Sequence, residues 1–222
     1  NDISDYKLDK LVSRTAGRPL AAGNISIIEA WVFFIVLALI SFALLWFTNA
    51  LTIKLSIFFG FLIVLYPITK RFISAPQFIL GITFGSGSLI AYSLETSVFS
   101  ASILTLYIGI VAWIVSFDTY YALQDKNDDL EIGVNSTAIL WAENAIIYSK
   151  VLHLAFYASL LTIAIINSFS YFFFLIFIGL FYLFLHQNKL LKNSDYLGAF
   201  KINNWIGMIS VFGFALEIIF IN

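Results

Sequence analysis

Residues 27–48 read IIEAWVFFIVLALISFALLWFT and hold one charged side chain, Glu29, in 22 positions. A helix crossing the hydrocarbon core needs about 20 mostly apolar residues. The run has no two-residue alternation, and a helix satisfies its backbone in lipid from within, so it reads as a transmembrane span. Working outward, six more stretches qualify: 51–69, 76–95, 99–121, 138–166, 170–187 and 203–221. The expected fold is all-α, a polytopic transmembrane helical bundle of about seven spans. The fifth is long enough to overhang the bilayer by about two turns. Lys54, near one end of the second, can snorkel to the interface.

Composition agrees. The 222 residues are 61% hydrophobic and 11% charged, against about 25% charged in soluble domains. This excludes a soluble globular enzyme and a disordered chain. Cysteine is absent, which removes disulfide scaffolds, thiolate metal sites and thiol nucleophiles; two histidines make a zinc site hard to assemble. A net charge of −1 offers no basic excess for nucleic acid. The chain opens at Asn1 on a polar stretch, and residues 1–222 are read as a single integral-membrane domain that has lost its N-terminal helices.

The loops set the orientation. Lys7, Lys10, Arg14, Arg18, Lys70, Arg71, Lys126, Lys189, Lys192 and Lys201 fall on one side, whereas the opposite loops offer only Lys54. By the positive-inside rule the basic side is cytoplasmic. The acids gather there too, which that rule does not require. Asp2, Asp5 and Asp9 precede the first span, and Asp118, Asp125, Asp128, Asp129 and Glu131 lie at or beyond the end of the fourth.

The first cluster reads NDxxDxxxD from Asn1. Steps of three and four put Asp2, Asp5 and Asp9 on one helical face, joined by Asn1. In the second, Asp118, Asp125 and Asp129 are spaced seven and four, with Tyr121 between them. Like charges at i,i+4 cost a helix about 0.2–0.5 kcal/mol per pair. A solvated acidic surface is one account. Two helically spaced clusters on the same side favour another, in which cations sit between them. Carboxylate and amide oxygens suit Mg²⁺, completed by water and substrate phosphates, so the pair reads as a Mg²⁺–diphosphate site.

NDxxDxxxD, then Arg14-Thr-Ala-Gly-Arg18-Pro-Leu20, then Asp118-Thr-x-Tyr-Ala-x-x-Asp125-x-x-Asp128-Asp129-x-x-Ile132-Gly-Val-x-Ser-Thr-Ala138, resembles the UbiA family of intramembrane prenyltransferases. Tyr66-Pro67-x-x-Lys70-Arg71, Pro76-Gln77 and Asn203-Asn204-x-x-Gly207 extend the likeness along the chain. The resemblance implies a nine-span fold, with two spans preceding Asn1, and the chain alone is expected to be inactive without them. It further implies Mg²⁺-dependent transfer of a polyprenyl group from its diphosphate to the ring carbon ortho to the hydroxyl of 4-hydroxybenzoate. The setting would be ubiquinone synthesis, in a bacterial or mitochondrial inner membrane, with the site on the cytoplasmic or matrix face. Naphthoate, homogentisate or a tetrapyrrole side chain remain as acceptors.

On that resemblance Asn1, Asp2, Asp5, Asp9, Asp125 and Asp129 would hold metal. Asp5, Asp125 and Arg71 carry the chemistry. Lys7, Arg14, Arg18, Tyr66, Lys70, Arg71, Asp118, Tyr121 and Asp128 are the substrate-contact candidates. For Arg14 and Arg18, four apart, the alternative is anchoring at the interface; the RTxxRP likeness favours substrate. Arg71 is preferred to Lys70 for the acceptor carboxylate because bidentate recognition suits a guanidinium. Gly81-x-x-x-Gly85 reads as close helix packing, His153 and His186 as chemically silent, and Glu95 and Glu217 as solvated at the far interface. Asn203 and Asn204 cap the last span or reach the pocket. A cation transporter, whose acids belong near the bilayer midplane, is the alternative from another class. A CDP-alcohol phosphotransferase would need a glycine-bearing aspartate signature that the sequence around Asp125 lacks.

Overall fold

The structure is a computed structural model describing residues 2–12, 14–69 and 71–221. All its regular elements among these residues are helical. In chain order they are α1 (Asp2–Asp9), α2 (Ile27–Leu45), α3 (Ala50–Thr69), α4 (Pro76–Ser93), α5 (Ala101–Ile132), α6 (Thr137–Leu140), α7 (Ala145–Ile166), α8 (Tyr171–Lys192), α9 (Tyr196–Lys201) and α10 (Asn203–Ile221), with one turn of 3₁₀ helix at Ala142–Asn144.

Six helical stretches among the described residues are long and apolar enough to cross a membrane. The third expected span, α4, is a helix but falls short of that measure. Gln77, Thr83, Ser86, Ser88 and Ser93 dilute it, and half of its residues are buried against α3 and α5. The chain is an integral membrane protein. No residue of α2 is buried, so that helix presents an apolar surface all round. It starts at a capping box, in which Ser26 Oγ accepts from Glu29 N–H and Glu29 accepts from Ser26 N–H.

The centre of the bundle is α5, 32 residues long and so about 48 Å. It packs between α4 and α7. Gly81 on α4 allows the approach, since a Cβ there would stand 2.9 Å from the Val111 carbonyl oxygen; the expected packing role of Gly81 and Gly85 is what the structure shows. Across α5–α7, Trp113 stacks on Phe156 at 4.7 Å, and Trp113 Nε1 donates to Asn203 Oδ1 at 2.7 Å. That bond, with donation from Asn203 Nδ2 to the Ala199 and Phe200 carbonyls, fixes the start of α10. Asn203 is therefore a helix-start residue and does not line the cleft described below. Phe156, Leu160, Phe173, Leu180 and Ile206 fill the core between α7, α8 and α10.

Several boundaries differ from the sequence reading. Span four continues past Tyr121 to Ile132 and ends where Gly133 adopts φ 75°. Span five is interrupted: Ala142 takes φ 49°, separating α6 from α7. Arg14 and Arg18 sit in successive turns, because Gly17 and Pro19 break the helix that their spacing suggested. Glu217 is buried; its carboxylate accepts from Ser170 N–H and Oγ at 2.7 Å each, closing the start of α8. Its place near the far interface suggested a solvated side chain, but the orphan donors of a helix start supply a buried partner.

Candidate active site

The ends of α1, α3, α4 and α5, with the turns after α1 and the α5–α6 loop, enclose a cleft of about 420 Å³. α1 supplies Asp5 and Asp9, both 8% exposed. The following turns supply Arg14 and Arg18, held by Thr15, whose buried hydroxyl donates to the Asp9 carbonyl at 2.9 Å. Tyr66 and Arg71 come from the end of α3, Gln77 from the first turn of α4, and Asp118, Tyr121, Asp125 and Asp129 from one stripe of α5. Ile63, Leu80 and Phe84 form an apolar wall, with Ile63 and Phe84 largely exposed.

The two acidic clusters face each other across this space, and each has an arginine. Arg14 Nε donates to Asp125 Oδ1 at 3.0 Å while Arg14 Nη2 donates to Asp125 Oδ2. Its guanidinium also lies over the Tyr121 ring, 4.5 Å from the centroid, and Tyr121 leans on Phe200 at 5.0 Å. The hydrogen bonds to Asp125 hold the Arg14 guanidinium above its already high pKa, against the opposing effect of burial. Arg18 Nη1 donates to Asp9 Oδ2 at 3.1 Å and to Asp2 Oδ1 at 3.3 Å. Arg71 reaches the Ser4 carbonyl at 3.4 Å and is otherwise exposed.

Most of the residues proposed from sequence thus meet in one place. Asp5, Asp9, Arg14, Arg18, Tyr66, Arg71, Asp118, Tyr121, Asp125 and Asp129 line the cleft. Asp2 stands at its rim through Arg18. Lys7 is exposed beside the Tyr6 ring, and Asp128 is exposed on a neighbouring face; neither lines the cleft. Asn1 and Lys70 lie outside the described residues. Gln77, quoted from sequence only as part of a likeness, is a buried cleft residue; a lone amide in the first turn of an apolar helix, after a proline, was the available signal.

Among the described lining residues five carboxylates stand against three guanidinium groups, a formal excess of two negative charges. A diphosphate added to this balance would be repelled unless cations accompanied it. The donors are all oxygen, the chemistry that suits Mg²⁺. Among the described residues, no three acidic or histidine side chains are gathered closely enough to hold one ion; in their place the arginines neutralise the two clusters separately.

Residues 1–211 match the model of the UbiA prenyltransferase family, and the chain belongs to that family. It is an enzyme, an aromatic prenyltransferase. It is 37% identical to 4-hydroxybenzoate octaprenyltransferase of Tolumonas auensis, over 97% of this chain and 77% of that one. It is also 37% identical to the protein of that name from Saccharophagus degradans, over 98% and 74%. The apo structure of a UbiA homolog from Aeropyrum pernix K1 superposes with a TM-score of 0.85 at 25% identity, covering 98% of this chain and 82% of that one. A digeranylgeranylglyceryl phosphate synthase shares the fold at a TM-score of 0.68 and 20% identity, over 97% and 78%.

Proposed function

We propose that this membrane domain, residues 1–222, serves the transfer of a polyprenyl group from polyprenyl diphosphate to the carbon ortho to the hydroxyl of 4-hydroxybenzoate. The reaction depends on Mg²⁺, belongs to ubiquinone synthesis, and takes place at the cytoplasmic or matrix face of an inner membrane. One observation carries this reading: two carboxylate clusters, each with its own arginine, face each other across a cleft with one apolar wall. The names of the two octaprenyltransferase relatives favour the acceptor.

Asp5 and Asp9 on α1, with Asp2, and Asp125 and Asp129 on α5 would hold the metal. Held there, Mg²⁺ would supply charge neutralisation of the diphosphate leaving group. Arg14 and Arg18 turn from carboxylate to diphosphate oxygens, for which a planar fork of donors is suited. The apolar tail lies along Ile63, Leu80 and Phe84, where the wall is exposed to lipid. Arg71, just beyond the end of α3, receives the acceptor's carboxylate. Tyr66 and Tyr121 help line the acceptor cavity or face the allylic cation, for which an aromatic ring is electrostatically favourable. Attack by the ring carbon then forms the new C–C bond, and the proton on that carbon leaves toward a cleft carboxylate, with Asp118 a candidate on the lining.

The test is transfer of labelled 4-hydroxybenzoate onto polyprenyl diphosphate by the full-length protein in membranes, with and without Mg²⁺. Asp125→Ala and Arg71→Ala are run alongside. Product that requires Mg²⁺ and falls on the order of 100-fold or more in both variants supports the reading. Product only with a different aromatic would replace the acceptor, and cation flux without transfer would replace the function.

A further inference from the structure

Gln77 is 5% exposed and lines the cleft. Its Oε1 accepts from the Thr137 backbone N–H at 2.9 Å. Because a backbone N–H only donates, the amide oxygen must face Thr137, and the NH₂ group is turned the other way. Among the described residues Nε2 has no hydrogen-bond acceptor, and it is not one of the fully occluded unpaired atoms; it is reached from the cleft. The amide cannot swivel freely. Thr137 Oγ1 is within 2.6 Å of Thr119 Oγ1, and Thr119 Oγ1 donates to the Val115 carbonyl at 2.7 Å, so α4, α5 and the start of α6 together fix the orientation.

The chemistry of this donor differs from that of every cation in the cleft. Arg14, Arg18 and Arg71 carry full charges suited to diphosphate and carboxylate. Gln77 offers a neutral donor on a buried side chain, where an anion would go uncompensated. A neutral oxygen suits it. Asp118 lines the same cleft, and a neutral donor in a cleft that also holds a carboxylate matches a hydroxyl, the group that both accepts and donates.

Resting on the prenyl-transfer reading above, we propose that Gln77 is a specificity-determining residue that donates its amide N–H to the ring hydroxyl oxygen of the aromatic acceptor. Bonding at that oxygen leaves the neighbouring ring carbon turned toward the rest of the cleft, and it rejects aromatic carboxylates that lack the hydroxyl.

The full-length protein in membrane vesicles is assayed with 4-hydroxybenzoate, with benzoate as competitor, beside Gln77→Glu and Gln77→Leu. Gln77→Glu keeps an oxygen for the Thr137 N–H and replaces the amide donor with a carboxylate, a buried charge that should lower its thermal midpoint without unfolding it. Its acceptor KM is expected to rise about tenfold, with the polyprenyl diphosphate KM within about twofold and the preference for 4-hydroxybenzoate over benzoate lost. Gln77→Leu should show the same acceptor effect and a lower midpoint, because it also unpairs Thr137. An active Gln77→Glu enzyme with unchanged acceptor KM, or with both KM values raised alike, overturns the inference. Turnover by the unsubstituted protein reports on the underlying reading separately.

Discussion

Arg14 and Asp125, 111 residues apart, meet through two parallel N–H to oxygen bonds while the Arg14 guanidinium rests on the Tyr121 ring. This contact ties the turns after α1 to the acidic stripe of α5. Lysine would keep the charge but lose the fork and the planar stack. Arg14→Lys is expected to raise the KM for polyprenyl diphosphate about 10- to 100-fold and leave the acceptor KM within about twofold. Equal effects on both substrates would show that Arg14 only braces the cleft.

Chelation of divalent cations should stop transfer, and Mg²⁺ should restore it. In Asp125→Asn one charge is removed while an oxygen donor is kept. The Mg²⁺ concentration for half-maximal activity is expected to rise by about tenfold or more. Activity insensitive to chelator would remove metal from the mechanism.

Gly109 meets Ser159 so closely that a Cβ there would stand 2.6 Å from Ser159 Cβ and nearer still to its Oγ. Gly109→Ala should therefore force α5 and α7 apart and destabilise the bundle by about 1–3 kcal/mol. Thermal melting in detergent measures the loss, and Ser159→Gly in the same chain should recover most of it. A Gly109→Ala protein that melts like the parent would mean the interface yields without cost.

His153 is fully buried on α7 with both ring nitrogens unpaired among the described residues, edge-on to Tyr157 at 4.8 Å. A polar group left unsatisfied in a dry interior opposes folding. His153→Leu, similar in volume, is expected to raise the melting midpoint by about 2–4 °C. A fall would show that the imidazole has a bonding partner in the membrane.

The spans were legible in the sequence because lipid leaves little choice: an apolar run such as 27–48, with one charge near one end, reads as a helix. The acidic clusters were legible from their three- and four-residue steps, and Asp5, Asp9, Asp118, Asp125 and Asp129 do converge. Less visible was the continuation of α5 beyond Tyr121, where hydropathy falls but the stripe of carboxylates still requires a helix, up to Gly133. The break at Ala142 had no glycine to mark it. The partnership of Arg14 with Asp125 and of Arg18 with Asp9 could not be read either, since sequence does not show which anion a guanidinium will take. Gln77 stood in view without a role, because its orientation depends on the Thr137 amide, 60 residues away.

The arginines have a consequence for how the protein is made. Two knots of carboxylate at a membrane face would ordinarily resist assembly through mutual repulsion. Here Arg14 and Arg18 already pair with a carboxylate of each cluster, so the helices can associate without any added cation. Biogenesis and loading become separate events, and depletion of divalent cations during expression should lower activity without lowering the yield of folded protein.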